Sequence, residues 1–151
     1  LIGFNTDIIG FERSIKPMLK PKHKKALILG TGGASKAIKH VLQKLNIAYI
    51  SASIEDELFK NEIRYEDIDQ GLIEEYKIII NATPLGTYPK TTEYPNIPYE
   101  NITPDHILYD LIYNPHKTIF MSKGLVMGAK CINGLKMLEL QAEASWKIWQ
   151  K

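Results

Sequence analysis

The sequence predicts a three-layer α/β fold built on a mainly parallel sheet. Three observations carry that expectation. Short apolar runs of strand length alternate with segments of helical spacing along the 151 residues. Runs such as Lys25-Ala-Leu-Ile-Leu29 and Ile78-Ile-Ile80 are continuously apolar, as strands covered on both faces require. One of these strands leads through Gly30-Thr31-Gly32-Gly33 straight into an amphipathic helix, the beginning of a βαβ unit.

The elements follow in order. Leu1 to Leu19 places apolar residues at Ile8, Phe11, Ile15, Met18 and Leu19, a helical spacing. Asn5, Thr6 and Asp7 are suited to cap that helix, and Pro17 and Pro21 to end it. Lys25–Leu29 is the first strand. Ala34 to Leu45 is a helix with Ala37, Ile38, Val41, Leu42 and Leu45 on one face, and Ile47–Ile50 is the second strand. Residues 51–76 are polar and show no clear period; a short helix is expected to begin within Ile54–Phe59. Ile78–Ile80 is a further strand. Thr83 to Pro104 is rich in Pro, Thr, Tyr and Asn and reads as a long loop, a length that is often functional. Ile107–Leu111 is a strand, Thr118–Met127 a helix and Lys130–Ile132 a last strand. Gly134–Trp149 is a final helix with Leu135, Leu138, Ala142 and Trp149 on one side.

Composition excludes several function classes. Hydrophobic residues are 44% and charged residues 24%, the balance of a soluble domain. The net charge is only +2, so no nucleic-acid partner is expected; Lys22, Lys24 and Lys25 read as a solvated turn. No apolar run nears the roughly 20 residues of a spanning helix, so no membrane partner is expected either. Cys131 is the one cysteine. It predicts no internal disulfide, a reducing compartment and a cytoplasmic protein, and reads as a buried, inert thiol. Nothing points to a metal site. The chain opens at Leu1 rather than Met and is read as a piece of a longer protein.

The glycine turn carries the most chemistry. Gly30, Thr31, Gly32, Gly33, Ala34, Ser35 and Lys36 approximate the dinucleotide-binding fingerprint of a Rossmann-like unit. Gly30 supplies the tight turn, Gly32 lets the backbone approach a pyrophosphate, and the small Ser35 lets the helix pack near the strand. The helix start offers free N–H groups and a positive dipole end to the phosphates. A tight turn without a ligand is the plainer alternative. After the second strand an acid selects NAD, while an Arg accommodates the 2′-phosphate of NADP. Here Ser51-Ala52-Ser53 is followed by Glu55, Asp56 and Glu57, and the choice stays open on chemistry alone.

Five segments together resemble one family. Gly3-Phe-Asn-Thr-Asp-Ile-Ile-Gly-Phe11 is similar to the G-x-N-T-D-x-x-G-F segment of shikimate dehydrogenases. Gly30 to Ala37 is similar to their G-x-G-G-A-[SA]-[RK]-A turn, and Asn81-Ala-Thr-Pro-Leu-Gly86 to their N-[AT]-T-P-x-G loop. Asp110-Leu-Ile-Tyr-Asn-Pro115 resembles their D-x-x-Y-N-P strand end, and Gly134 to Gln141 their G-x-x-M-L-x-x-Q helix. The resemblance implies NADPH-dependent reduction of 3-dehydroshikimate to shikimate, in aromatic amino-acid biosynthesis. It implies two domains. Residues 1–20 would be a connecting helix carrying the catalytic Asp7. Residues 21–151 would be the dinucleotide domain, its last helix packing back toward a substrate domain outside this chain. Asp7 would work with a Lys of that domain; a plain helix cap is the alternative. Asn5, Asp7, Tyr113 and Gln141 would contact substrate. The glycine turn, Ser51, Ser53, Asn81, Thr83, Leu85, Leu111 and Gly134 would contact the cofactor. A monomer or homodimer is expected.

Two departures matter. The family carries N-R-T after the second strand, where this chain has Ser51-Ala52-Ser53, which predicts a weaker preference for NADP over NAD. Lys36, Lys60 and Arg64 are the nearest cations. No lysine here matches the family's catalytic one, so the chain alone is expected to be inactive. Quinate dehydrogenase using NAD, a folate-linked dehydrogenase of similar build and a non-catalytic nucleotide-binding module are the other readings.

Overall fold

A computed structural model describes residues 2–150, the side chains of Ile2 and Phe4 aside. Six strands form one sheet: β1 (Lys25–Leu29), β2 (Ala48–Ser53), β3 (Glu62–Arg64), β4 (Ile78–Asn81), β5 (Ile107–Asp110) and β6 (Lys130–Ile132). Every pairing is parallel, in the order β3-β2-β1-β4-β5-β6. The helices are α1 (Ile2–Ile15), α2 (Gly33–Lys44), α3 (Gln70–Glu75), α4 (Ile119–Val126) and α5 (Leu135–Trp149). This is the doubly wound order, which reverses direction between β1 and β4.

The continuous apolar runs explain the centre of the sheet. Leu27, Leu29, Ile79 and Leu108 face one core, closed by Ile73 of α3, Phe120 and Met121 of α4, and Ile97, Tyr99 and Ile102 of the long loop. Ala26, Ile28, Ile78, Ile80 and Tyr109 face the other, under Phe11 and Ile15 of α1, Ile38, Val41 and Leu42 of α2, and Met137 of α5. Each fully buried Leu, Ile or Phe contributes about 1.5–3 kcal/mol. Both faces are sealed, so only the strand ends are left open for a ligand.

Several expectations need correction. α1 starts at Ile2, so Asn5, Thr6 and Asp7 lie inside the helix and do not cap it. Thr6 Oγ1 folds back on the Gly3 carbonyl at 3.0 Å. β2 continues to Ser53, beyond Ile50, because β1 and β3 pair with those extra residues. No helix begins within Ile54–Phe59; that stretch is irregular, and β3 and α3 follow in the segment that showed no period. On α5 the buried residues are Met137 and Ala144. The side carrying Leu135, Leu138 and Trp149 is exposed, and α5 turns its other side to α1. A Cβ at Gly10 would lie 2.6 Å from the Met137 carbonyl oxygen, so the two helices touch backbone to side.

Candidate active site at the strand ends

Where the strand order reverses, the carboxyl ends of β1 and β4 leave a crevice. Gly30 turns the chain out of β1 at φ +103°, a conformation that disfavours any side chain. The turn is pinned from both neighbours. The Gly30 N–H donates to the Ala52 carbonyl at 3.0 Å, and the Ala82 N–H donates to the Leu29 carbonyl at 2.9 Å. Gly32 is the N-cap of α2 and offers no side-chain cap. A Cβ at Gly32 or Gly33 would meet nothing within 4 Å, so bare backbone faces open space. Buried Ser35 locks the first turn, its hydroxyl donating to the Gly32 carbonyl at 2.6 Å. An uncapped helix start beside bare backbone suits an anionic phosphate.

The facing wall is the loop after β4. Asn81 is fully buried and rivets it. Its Oδ1 accepts from the Thr83 N–H at 3.1 Å and hydroxyl at 2.6 Å, and its Nδ2 donates to Asp110 Oδ1 at 3.2 Å. Asn81 therefore shapes the wall from beneath and is not itself exposed. Thr83 Oγ1 in turn accepts from the Leu85 N–H at 3.1 Å. Asp110 also accepts from Thr118 Oγ1 at 2.6 Å and the Ile112 N–H at 3.0 Å. Burial raises its pKa against those bonds, which lower it.

Two cavities share the wall of Ala82, Thr83 and Pro84. The larger, about 720 Å³, lies toward β2, between Gly30, Thr31, Gly32, Leu85, Glu55 and Tyr65. The smaller, about 500 Å³, lies toward β5 and meets Ala34, Leu111 and Tyr113. Both sizes are those of small-molecule sites. Lys36 stands exposed on α2. Ser51 and Ser53 are inside β2 and buried. Ser53 Oγ accepts from the Glu55 N–H at 3.1 Å, whereas Ser51 Oγ has no partner among the described residues. Gly134 is wedged against β5: a Cβ there would fall 1.9 Å from the Leu111 carbonyl oxygen.

Asp7 and Gln141 meet. The Gln141 side-chain amide donates to Asp7 Oδ1 across the α1–α5 contact. Burial raises the Asp7 pKa and the Gln141 bond lowers it, with burial the larger effect. Among the described residues Asp7 has no ion-pair partner. Asn5 and Tyr113 are exposed and make no side-chain hydrogen bond there. Tyr65 and Tyr94, which line the larger cavity, were not legible in the sequence. Burial pushes the Tyr65 pKa up to about 12, so its hydroxyl stays protonated. Cys131 is half-buried, and burial pushes its thiol up to about 11. Among the described residues no helix is long and apolar enough to cross a membrane. Nor does any cluster of three or more His, Cys, Asp or Glu there suit a metal ion.

No family model matches the chain, but individual proteins do. Shikimate dehydrogenase (NADP(+)) of Methanococcus maripaludis is 39% identical over 161 residues, covering 98% of this chain and 57% of that protein. A crystal structure of shikimate dehydrogenase in complex with NADP+ is 30% identical with a TM-score of 0.82, covering 95% of this chain and 55% of the other. Shikimate 5-dehydrogenase of Listeria monocytogenes, in complex with shikimate and NAD, is 26% identical with a TM-score of 0.82, covering 96% and 57%. The chain thus spans little more than half the length of the relatives it matches. Over nearly its whole length the chain is similar in sequence and in fold to shikimate dehydrogenases.

Proposed function

We propose that this chain is the dinucleotide-binding part of an NADP-dependent shikimate dehydrogenase, a cytoplasmic enzyme that reduces 3-dehydroshikimate to shikimate. The observation that carries this reading is the bare backbone at Gly32 and Gly33, opening on a crevice that runs from Glu55 to Tyr113. When bound, NADPH supplies a hydride to the substrate ketone. The chain's own residues bind and orient. The Gly30–Ala34 turn and the start of α2 take the pyrophosphate, with Lys36 adding charge. Thr83, Leu85, Leu111 and Gly134 shape the nicotinamide side.

Asn5, Asp7, Tyr113 and Gln141 face the substrate. Hydride addition leaves an alkoxide that needs a proton. An ammonium from a domain outside this chain supplies it, and Asp7 orients that ammonium. The lack of a cation beside Asp7 among the described residues supports this pairing. Residues 1–20 then serve as the connector between the two domains, and the exposed face of α5 packs toward the second. The test is calorimetric titration of NADP+ and NAD+, together with turnover of shikimate and quinate. The 151 residues alone are expected to bind a dinucleotide without turning over shikimate. In the full-length protein, Asp7→Asn abolishes turnover and spares cofactor binding. Absence of dinucleotide binding to either form would sink the reading. Glu55 on the cavity wall favours one second reading, an NAD-using enzyme whose carboxylate takes the ribose hydroxyls.

A further inference from the structure

We propose that Arg64, on β3, grips the 2′-phosphate of the cofactor; the assignment rests on the dinucleotide reading above. The position where the family resemblance places an Arg is Ala52. That residue is fully buried in a hydrophobic core, so a cation cannot stand there without entering it. Arg64 is the last residue of β3 and pairs in register with Ser53, the last residue of β2. It therefore stands at the carboxyl edge of the sheet, beside the segment that leaves β2.

Arg64 is held in place there. Its Nη2 donates to the Asp56 carbonyl at 2.7 Å and its Nη1 to the Glu55 carbonyl at 3.4 Å. Those residues belong to the loop that walls the larger cavity through Ile54 and Glu55, and the next residue, Tyr65, lines the same cavity. A guanidinium carries five N–H donors in one plane. Two are used on the loop, leaving Nε–H and one N–H on each terminal nitrogen. A phosphate accepts two such donors side by side. Lys36 and Lys60 are exposed and make no hydrogen bond or ion pair among the described residues, so nothing fixes their position. The acids Glu55, Asp56 and Glu57 would repel a phosphate from this loop, and Arg64 is the cation that answers them at the strand edge. A cofactor without the 2′-phosphate gains nothing from it.

The test is titration of the full-length protein with NADP+, NAD+, 2′,5′-ADP and 5′-AMP, in wild type, Arg64→Gln and Arg64→Lys. Arg64→Gln is expected to weaken NADP+ and 2′,5′-ADP by about 10- to 100-fold and to leave NAD+ and 5′-AMP unchanged. It should also flatten the salt dependence of NADP+ binding. Arg64→Lys keeps the charge without the fork and falls between. Should Arg64→Gln fail to fold, the loss in Arg64→Lys and its selectivity for the phosphorylated probes read the same interaction. Equal losses for NADP+ and NAD+ overturn the assignment, because Arg64 then only props the loop. Unchanged NADP+ affinity overturns it too, as does a wild type that prefers NAD+. A wild type that binds none of the four probes overturns the dinucleotide reading itself.

Discussion

Replacing Gly32 by Ala should separate binding from stability. Gly32 has φ −72° and ψ −170°, which any residue adopts, and a Cβ there meets nothing within 4 Å. Restricting the unfolded chain stabilises by about 0.4–1 kcal/mol. Ala is a poorer N-cap than Gly by a similar amount, roughly 0.5–1 kcal/mol. The two nearly cancel, so the melting temperature should move by no more than about 2 °C. The added methyl does project into the space where a phosphate must approach the backbone. Overpacking of that kind costs about 1–3 kcal/mol, which is roughly a 5- to 150-fold loss of dinucleotide affinity. Gly30→Ala is the control with the opposite profile. Its φ of +103° and its 3.1 Å approach to the Ala82 carbonyl oxygen put strain into the folded state itself. About 1–3 kcal/mol is lost there, which lowers the melting temperature by roughly 3–10 °C. Calorimetric titration and thermal melting of both variants decide the matter. Normal affinity in Gly32→Ala would refute the cradle as the phosphate site, and a large loss of stability would refute the open space beside it.

Three further outcomes are expected. Ala52→Arg should destabilise by about 3–5 kcal/mol, because it buries a charge without a partner, and should not strengthen NADP binding; urea unfolding and titration check both. Gly10→Ala places a Cβ 2.6 Å from the Met137 carbonyl oxygen and 2.9 Å from Gln141 Cγ. It should cost about 1–3 kcal/mol, and a variant as stable as wild type would mean that α1 and α5 do not pack this closely. Asp7 has a raised folded pKa through burial, so its stabilising contribution is full below its ordinary value and is lost as pH rises through the folded one. In the 151 residues by themselves, Asp7→Asn should therefore melt above wild type near pH 7, with the gap closing toward roughly pH 3. A gap that widens on acidification contradicts the shift.

The strands buried on both faces were legible because an unbroken apolar run has few other uses. β1 and β6 fall at the expected residues and β4 and β5 within one residue of them. β3 was not legible, since it has three half-buried residues at a sheet edge and hence no run to detect. α3 is six residues long with Ile73 alone buried, too short to show a period. α5 was placed correctly, but the side it turns to α1 was not legible. Both of its sides carry apolar residues, and only the tertiary contact through Gly10 decides which one turns inward. In the site, the glycine turn announces itself through local spacing. Asp7 and Gln141 are 134 residues apart, and their contact has no local signature at all. The same holds for Tyr65, whose place on the cavity wall depends on β3.

The seat of Gly134 has a mechanical consequence. With the Leu111 carbonyl oxygen 1.9 Å from where a Cβ would be, the end of β5 and the start of α5 fit like a dovetail that admits no wedge. The Gly134 N–H fastens the same joint to the Ile112 carbonyl at 3.0 Å. Within its first two turns α5 is also clamped to α1 through Gly10, which meets Met137 and Gln141. Sliding α5 would break the joint at both places. The end of β5, Asp7 and Gln141 are thereby joined through α5 into one packed block.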